Sequence, residues 1–241
     1  MADEPATPAR NVALLIDADN ASPDSLDPVL TVLAELGTVN IRRAYGNWKK
    51  PALNGWEKII HLHGIEPQQQ FDITKGKSAT DMKMIIDAMD LIYHGRVGGF
   101  GLMSSDSDFM PLAVRIKQDG LPVYGFGTAK TPLAFQNACT RFIDVGALPG
   151  DETELALDSP KGSKPEVDET VVKLLGDAIK ASKRDERGFA SISEVGRLAG
   201  NRSSFDVRNY GFNRLSDLLA AIPNFQIERR EGGAAFVKRV R

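Results

Sequence analysis

Residues 12–20 read Val-Ala-Leu-Leu-Ile-Asp-Ala-Asp-Asn, and this stretch decides the predicted fold. Its first five residues form an apolar run of strand length, and Asp17 ends that run. Ser22 and Pro23 follow, and they are typical of a helix cap and of a first helical position. A strand followed by a helix favours a parallel α/β sheet, in which ligands bind at the carboxyl ends of the strands. We therefore predict Asp17 and Asp19 at that edge.

The alternation of strand and helix patterns continues to residue 145. Further strands are predicted over 39–45, 65–70, 100–103, 121–126 and 143–145. Helices are predicted over 23–36, 55–63, 82–92, 111–118 and 132–138. This order implies right-handed crossovers and a doubly wound, mainly parallel sheet. We predict one α/β domain over residues 11–146, preceded by a polar tail over 1–10.

Residues 147–165 are rich in Gly, Pro, Ser and acidic residues without periodicity, as is typical of a linker. Three helical patterns and two short alternating runs follow it, over 167–181, 191–199, 214–222, 225–229 and 235–240. Three helices and a hairpin predict a small, winged-helix-like α+β domain over 166–241. From residue 171 onward there are 14 basic and 8 acidic side chains, so this part suits a polyanionic partner.

The composition of the chain excludes several classes of protein. The single cysteine, Cys139, excludes an intramolecular disulfide. No apolar run approaches the roughly 18 residues of a membrane span. The first ten residues lack the hydrophobic segment of a signal peptide. We expect a cytoplasmic protein without a membrane partner.

More carboxylates recur at the predicted edge of the sheet. Asp106 and Asp108 follow the strand over 100–103, and Asp81 stands at the start of the helix over 82–92. Gathered carboxylates repel one another, and a divalent cation is the usual remedy. Metal ions held by Asp oxygens supply the activated water and the charge neutralisation that phosphodiester hydrolysis needs. We predict a catalytic Mg²⁺ or Mn²⁺ site made by Asp17, Asp81, Asp106 and Asp108, with Asn20, Ser104 and Ser105 in support.

Simpler interpretations of these acids stay open. An Asp that ends a strand is often a turn former, and Asp108 is also placed to cap the following helix. Asp81 also fits a capping box with Ser78. Asp19 either points away from the edge or contacts a metal through water. Two further acids are predicted on the solvated face of their helix, namely Asp87 and Asp90.

Basic and aromatic side chains are predicted to contact RNA, the substrate that we favour. Near the first domain's edge an indole is interleaved with charge, which suits base stacking and backbone contacts. The candidates there are Arg42, Arg43, Trp48, Lys49, Lys50, Lys75 and Lys77. In the second domain they are Arg208, Arg214, Arg229, Arg230, Lys238 and Arg239. The alternatives are solvated lysines in the 75–77 loop, a core or lid position for Trp48 and, for the second set, a soluble basic face.

Three motifs in this order resemble the NYN domain, a LabA-like family of PIN-like nucleases. They are Leu-Ile-Asp-Ala-Asp-Asn, Lys-Ser-Ala-Thr-Asp and Ser-Ser-Asp-Ser-Asp-Phe. The resemblance covers residues 10–145 and implies a Rossmann-like, PIN-type three-layer fold and possible homodimerisation. It also implies a metal-dependent ribonuclease site at Asp17, Asp81, Asp106 and Asp108, with Asn20 supporting. Ser105 departs from the family pattern, which often has Gly there.

Residues 208–219 read Arg-Asn-Tyr-Gly-Phe-Asn-Arg-Leu-Ser-Asp-Leu-Leu, which resembles a LOTUS (OST-HTH) domain. Such domains are similar to winged helices and are thought to bind RNA or protein partners. Tyr210 and Phe212 are predicted to anchor this fold, and Gly211 to permit a tight turn. The combined prediction is an endoribonuclease whose first domain cuts RNA and whose second domain recruits it.

Two other functions stay open. The same acids fit an RNA-binding regulatory scaffold that binds metal without turnover. Asp17-Ala-Asp19 after a strand also resembles phosphatases with an aspartate nucleophile. We favour the phosphatase less, because it lacks the usual Gly-Thr after the second Asp and an evident cap domain.

Overall fold

The computed structural model describes residues 11–71, 79–148, 169–230 and 233–240. The chain forms two compact units, divided after Gly146. Some predictions lie outside the described residues, namely those for Lys75, Lys77, the tail over 1–10 and most of the linker over 147–165.

A six-stranded parallel sheet forms the centre of the first unit. Its strands are β1 (Asn11–Asp17), β2 (Thr38–Gly46), β3 (Glu66–Gln69), β4 (Gly99–Met103), β5 (Val123–Gly127) and β6 (Arg141–Asp144). Their order is β3-β2-β1-β4-β5-β6, and all neighbours pair in parallel. The order reverses between β1 and β4, so the ligand crevice of an open α/β fold is expected beyond the carboxyl ends of these two strands.

Five helices connect these strands. They are α1 (Leu26–Leu36), α2 (Asn54–Ile59), α3 (Ala79–His94), α4 (Met110–Gln118) and α5 (Leu133–Ala138). The apolar run from Val12 to Ile16 is completely or almost completely buried, because helices cover both faces of a doubly wound sheet. The predicted fold class is therefore confirmed. The last strand begins two residues before its predicted range, at Arg141.

The second unit is a small α+β fold, as predicted. It contains α6 (Glu169–Ala181), β7 (Ala190–Ser191), α7 (Ile192–Arg202), α8 (Leu215–Ala221), β8 (Phe225–Arg229) and β9 (Ala235–Arg239). The three strands form an antiparallel sheet in the order β7-β9-β8. Gly211 has a φ of +75°, which gives the tight turn. Tyr210 stacks on Phe205 with ring centroids 5.9 Å apart, and both Tyr210 and Phe212 pack against the core.

Candidate active site

Asp17 is a buried carboxylate at the carboxyl end of β1. It is 1% exposed, and its Oδ2 accepts hydrogen bonds from Ser104 Oγ at 2.7 Å and Asn20 Nδ2 at 2.9 Å. Its Oδ1 is buried and accepts no hydrogen bond from any described residue. Burial raises the pKa of Asp17. The hydrogen bonds from Ser104 and Asn20 oppose that rise, and the charges of Asp81 and Asp19 add to it. A buried anionic oxygen without a donor is stabilised by a cation.

Ser104 and Asp106 form the adjacent wall of this site, just beyond β4. The Ser104 Oγ that donates to Asp17 also accepts from the backbone N–H of Asp106 at 3.0 Å. Asp106 Oδ1 accepts from the backbone N–H of Asp108 at 2.9 Å and so caps the short 3-10 turn Ser107–Phe109. The capping residue is therefore Asp106. Asp108, which the sequence also offers as a cap for the following helix, is exposed.

Ser105 faces the neighbouring strand end. Its Oγ accepts from the backbone N–H of Thr128 at 3.0 Å. A Cβ on Gly127 would lie 2.9 Å from Ser104 O and 3.0 Å from Ser105 Oγ. The close approach of this loop to β5 therefore requires glycine at position 127. Ser105 holds the loop in place, and Ser104 is the serine that contacts a site carboxylate.

A second group of polar side chains joins the β2 edge to α3. Asp81 lies half-buried in the first turn of α3, near enough for its charge to raise the pKa of Asp17. Thr80 is buried, and its Oγ1 donates to Asp19 Oδ2 at 3.2 Å. Lys50 Nζ lies 3.3 Å from Asp19 Oδ1. Asp19 thus connects the first turn of α3 to the segment after β2 at the predicted edge. Sequence reasoning missed the role of Thr80, although it belongs to the same motif as Asp81.

The donor chemistry of this edge fits a divalent cation. Within the parts of the chain that the structure describes, no group of three or more His, Cys, Asp or Glu side chains is close enough to hold a metal ion. Magnesium commonly takes one or two direct carboxylates and keeps several waters, so a tighter cluster is not required. The Oδ1 of Asp17, which has no donor in the described part of the chain and lies near the charges of Asp81 and Asp19, is the feature that such an ion would satisfy.

The prediction that Asp87 is solvated is wrong, because its side chain is buried on the face of α3 that packs against β2. It is 6% exposed and accepts hydrogen bonds from Tyr45 OH at 3.1 Å and Lys83 Nζ at 2.6 Å. Arg43 Nη1 lies 3.6 Å from Asp87 Oδ2, and Arg43 Nε donates to Glu66 at 3.1 Å. Burial and the charge of Asp87 raise the pKa of Tyr45. Arg43, a predicted RNA contact, therefore binds two carboxylates of its own chain.

Arg42 and Trp48, two further predicted RNA contacts, also make internal hydrogen bonds. Arg42 donates to the carbonyl oxygens of Val39 at 3.2 Å and His63 at 2.7 Å. Trp48 is half-buried, and its indole N–H donates to Gln68 O at 3.1 Å. The Trp48 contact holds the chain beyond β2 against β3 and leaves the indole ring partly accessible.

The predicted RNA contacts of the second unit occupy different environments. Arg208 pairs with the buried Asp206 at 3.1 Å. Arg230 pairs with Asp185 and Glu228 and stacks on Phe236, 4.0 Å from its ring centroid. The other cations are placed as follows: Lys238 lies 4.7 Å above the ring of Phe189, Arg239 packs on Gly176, and Arg214 and Arg229 are exposed.

Comparison with known proteins agrees with this geometry. The doubly wound parallel sheet of the first unit, with acidic side chains at its carboxyl edge, is consistent with a PIN-like fold. Residues 11–149 match the NYN domain, and residues 163–237 match the OST-HTH/LOTUS domain. The chain belongs to the NYN domain family and carries a LOTUS domain after it, so both predicted resemblances are confirmed.

Two known proteins are similar to part of this chain. An uncharacterized protein of Methanocaldococcus jannaschii is 29% identical over 140 residues, which make up 56% of this chain and 55% of that protein. The chain therefore spans about half the length of this curated relative. The crystal structure of a protein of unknown function from Vibrio parahaemolyticus is 20% identical, with a TM-score of 0.46, over 58% of this chain and 96% of that one.

No helix among the described residues is long and apolar enough to cross a membrane.

Proposed function

We propose that this chain is a metal-dependent endoribonuclease that uses Mg²⁺ or Mn²⁺. The observation that carries the proposal is Asp17, whose buried Oδ1 lacks a donor among the described residues. Burial first, and then the charges of Asp81 and Asp19, raise the pKa of this carboxyl group. Such an arrangement costs folding free energy without a cation, so it is typical of a binding site. The nuclease superfamily to which the NYN domain belongs agrees with this function.

The chain's own residues divide the work of hydrolysis. A bound divalent cation neutralises charge on the phosphodiester and lowers the pKa of a water molecule. Its proposed ligands are Asp17, Asp81, Asp106 and Asp108, one or two of them bound directly and the others through water molecules that the ion keeps. Ser104 and Asn20 hold the Asp17 carboxylate in one orientation, as outer hydrogen-bonding partners do in metal sites.

Asp81, which comes from α3, is proposed to orient the attacking water. In-line attack of this water on phosphorus breaks the bond to the 3′ oxygen, so the products carry a 5′-phosphate and a 3′-hydroxyl. No covalent intermediate with the protein forms.

The second domain is proposed to recruit RNA, in agreement with its LOTUS match and its excess of basic side chains. Arg214 and Arg229 are exposed and suited to phosphate contacts. We propose domain boundaries of 11–146 and 166–241 around a linker over 147–165. A homodimer through the first domain and a cytoplasmic location stay predictions from the sequence.

Cleavage assays test the nuclease directly. Labelled single-stranded and structured RNAs are incubated with Mn²⁺, Mg²⁺ or excess chelator, with wild-type protein and with Asp106→Asn. Asn is as good a cap as Asp, so this change removes the charge while the 3-10 turn keeps its hydrogen bond. The matched control is Asp90→Asn, at an exposed carboxylate on α3.

The expected result is cleavage that requires metal, persists in Asp90→Asn and is lost in Asp106→Asn. Cleavage by wild type that Asp106→Asn retains would show a contaminant or a wrong site. RNA that is bound but intact with every metal would favour the regulatory scaffold over the nuclease.

A further inference from the structure

An exposed aromatic side chain stands at the same edge of the sheet as the proposed site. Phe71 is 51% exposed and follows β3, two strands away from β1. By contrast, Trp56 and Phe100 of the same unit are fully buried. Lys49 Nζ lies 4.9 Å from the centroid of the Phe71 ring. An exposed ring beside a cation offers a stacking face and a charge for a phosphate.

The segment that carries Lys49 is hydrogen-bonded to β3. Trp48 donates its backbone N–H to Gln69 Oε1 at 3.0 Å and its indole N–H to Gln68 O at 3.1 Å. Gln69 Nε2 donates to Asn47 Oδ1 at 3.1 Å. We call residues 47–50 the β2 loop. The contacts of Asn47 and Trp48 with β3 hold the backbone that carries Lys49 near the end of β3 before any ligand arrives, which lowers the entropic cost of binding.

The other end of the β2 loop reaches the proposed site. Lys50 Nζ lies 3.3 Å from Asp19, which in turn accepts a hydrogen bond from Thr80, the residue before Asp81. Neighbouring strands are about 4.8 Å apart, so β3 and β1 are separated by about 10 Å. A strand of RNA crosses that separation within a few nucleotides. A base on Phe71 would therefore belong to the same strand as a phosphate at Asp17.

We propose that Phe71 and Lys49 form a subsite that stacks an unpaired base of single-stranded RNA and contacts its phosphate. The subsite rests on the proposed function, because it assumes that RNA runs along this edge of the sheet. Single-stranded RNA is the matching class, because an unstacked base offers its face to an aromatic ring, whereas the bases of a duplex are stacked on each other. The subsite thus selects unpaired RNA for the site.

Binding by the full chain in excess chelator tests this subsite without cleavage. The probes are a labelled oligoadenylate and the same strand annealed to its complement. Phe71→Leu keeps an apolar side chain and removes the ring face, and Phe71→Tyr restores it. Tyr93→Leu is the matched control, because Tyr93 is 91% exposed near the end of α3. That end lies at the opposite edge, where the Gly98 N–H donates to Asn11 O.

We expect Phe71→Leu to raise the Kd for the single strand about 5- to 100-fold, as expected for the loss of one stacked base. Affinity for the duplex should stay unchanged, and Phe71→Tyr and Tyr93→Leu should bind both probes like wild type. An abasic nucleotide scanned along the strand sharpens the test. At the position that stacks on Phe71, the abasic nucleotide should lower the affinity of wild type for the strand. It should not lower the affinity of Phe71→Leu further, since the two changes remove the same contact.

The subsite would be overturned if Phe71→Leu bound the single strand as tightly as wild type does. It would also be overturned if Phe71→Leu lost equal affinity for single strand and duplex, or if wild type bound neither probe. Cleavage in Mn²⁺ is measured in parallel on the same proteins. Cleavage with Phe71-independent binding would overturn the subsite and leave the nuclease standing. Phe71-dependent binding without cleavage would support the subsite and overturn the nuclease.

Discussion

Asp17 and Asp87 are two buried carboxylates in the same domain with opposite surroundings. Asp87 faces Tyr45 OH, Lys83 and Arg43, so two cations and a hydroxyl compensate its charge. Asp17 has only the neutral donors Ser104 and Asn20 among the described residues, and its other neighbours include the acids Asp81 and Asp19.

The difference between them indicates what each carboxylate is for. A buried acid that its own chain neutralises serves the fold, because removing it leaves cations without a partner. A buried acid that its own chain leaves uncompensated implies a ligand of opposite charge. Depth of burial alone does not separate the two cases, since both side chains are nearly inaccessible.

The largest effect is expected from Asp17→Asn on cleavage. The change keeps the size of the side chain and removes the charge that would hold the cation. Metal catalysis of this kind contributes several kcal/mol, so cleavage should fall about a thousandfold. Single-turnover rates in Mn²⁺ measure it. If Asp17→Asn cleaved RNA like wild type, the claim that Asp17 binds a catalytic cation, in contrast to Asp87, would be wrong.

Metal protection against unfolding should be next in size. Mg²⁺ or Mn²⁺ at about 100 times its Kd should raise the free energy of unfolding of wild type by about 2.7 kcal/mol. Asp17→Asn should gain much less, and Asp87→Asn should gain as much as wild type. Thermal melts across a metal titration check this. Equal protection of wild type and Asp17→Asn would place the ion elsewhere.

Asp87→Asn should lower stability and spare the chemistry. Asn keeps one acceptor oxygen in place of two, so one of the bonds from Tyr45 and Lys83 is lost. A hydrogen bond to a charged group contributes about 1.5–3 kcal/mol, so we expect a loss of about 2 kcal/mol. Urea unfolding gives the value, with Asp90→Asn as the control. Cleavage per folded molecule should stay that of wild type, and a specific loss of rate would assign Asp87 a part in the site.

The smallest effect is the pH dependence of Asp17 in chelator. Its folded pKa is raised above the ordinary 3.8, so the folded state binds the proton more tightly than the unfolded chain. As the pH falls through the folded pKa toward 3.8, wild type should gain stability relative to Asp17→Asn, and it should lose that gain as the pH rises again. Urea midpoints of both proteins over this window test the sign. A relative loss on acidification would contradict a raised pKa.

Much of the fold follows from local patterns. Three of these patterns act within a few residues, and each predicted its element: the apolar run before Asp17, the helix signals at Ser22 and Pro23, and the spacing of apolar residues in α3. The solvated position predicted for Asp87 was wrong because its partner Tyr45 is 42 residues away. Thr80 meets Asp19 across 61 residues for the same reason. Helical periodicity places a side chain on a face and says nothing about what that face meets.

The sequence by itself determined which acids stand at strand ends and at a helix start, because strand length, caps and motif order are local properties. It also determined both families through motifs that a single chain displays. Only the tertiary structure decided that Asp87 is neutralised and that Asp17 keeps an oxygen without a donor among the described residues. The exposure of Phe71 beside Lys49 was decided there too. These properties depend on groups far apart in the chain, whose meeting depends on the packing of α3 and the β2 loop against the sheet.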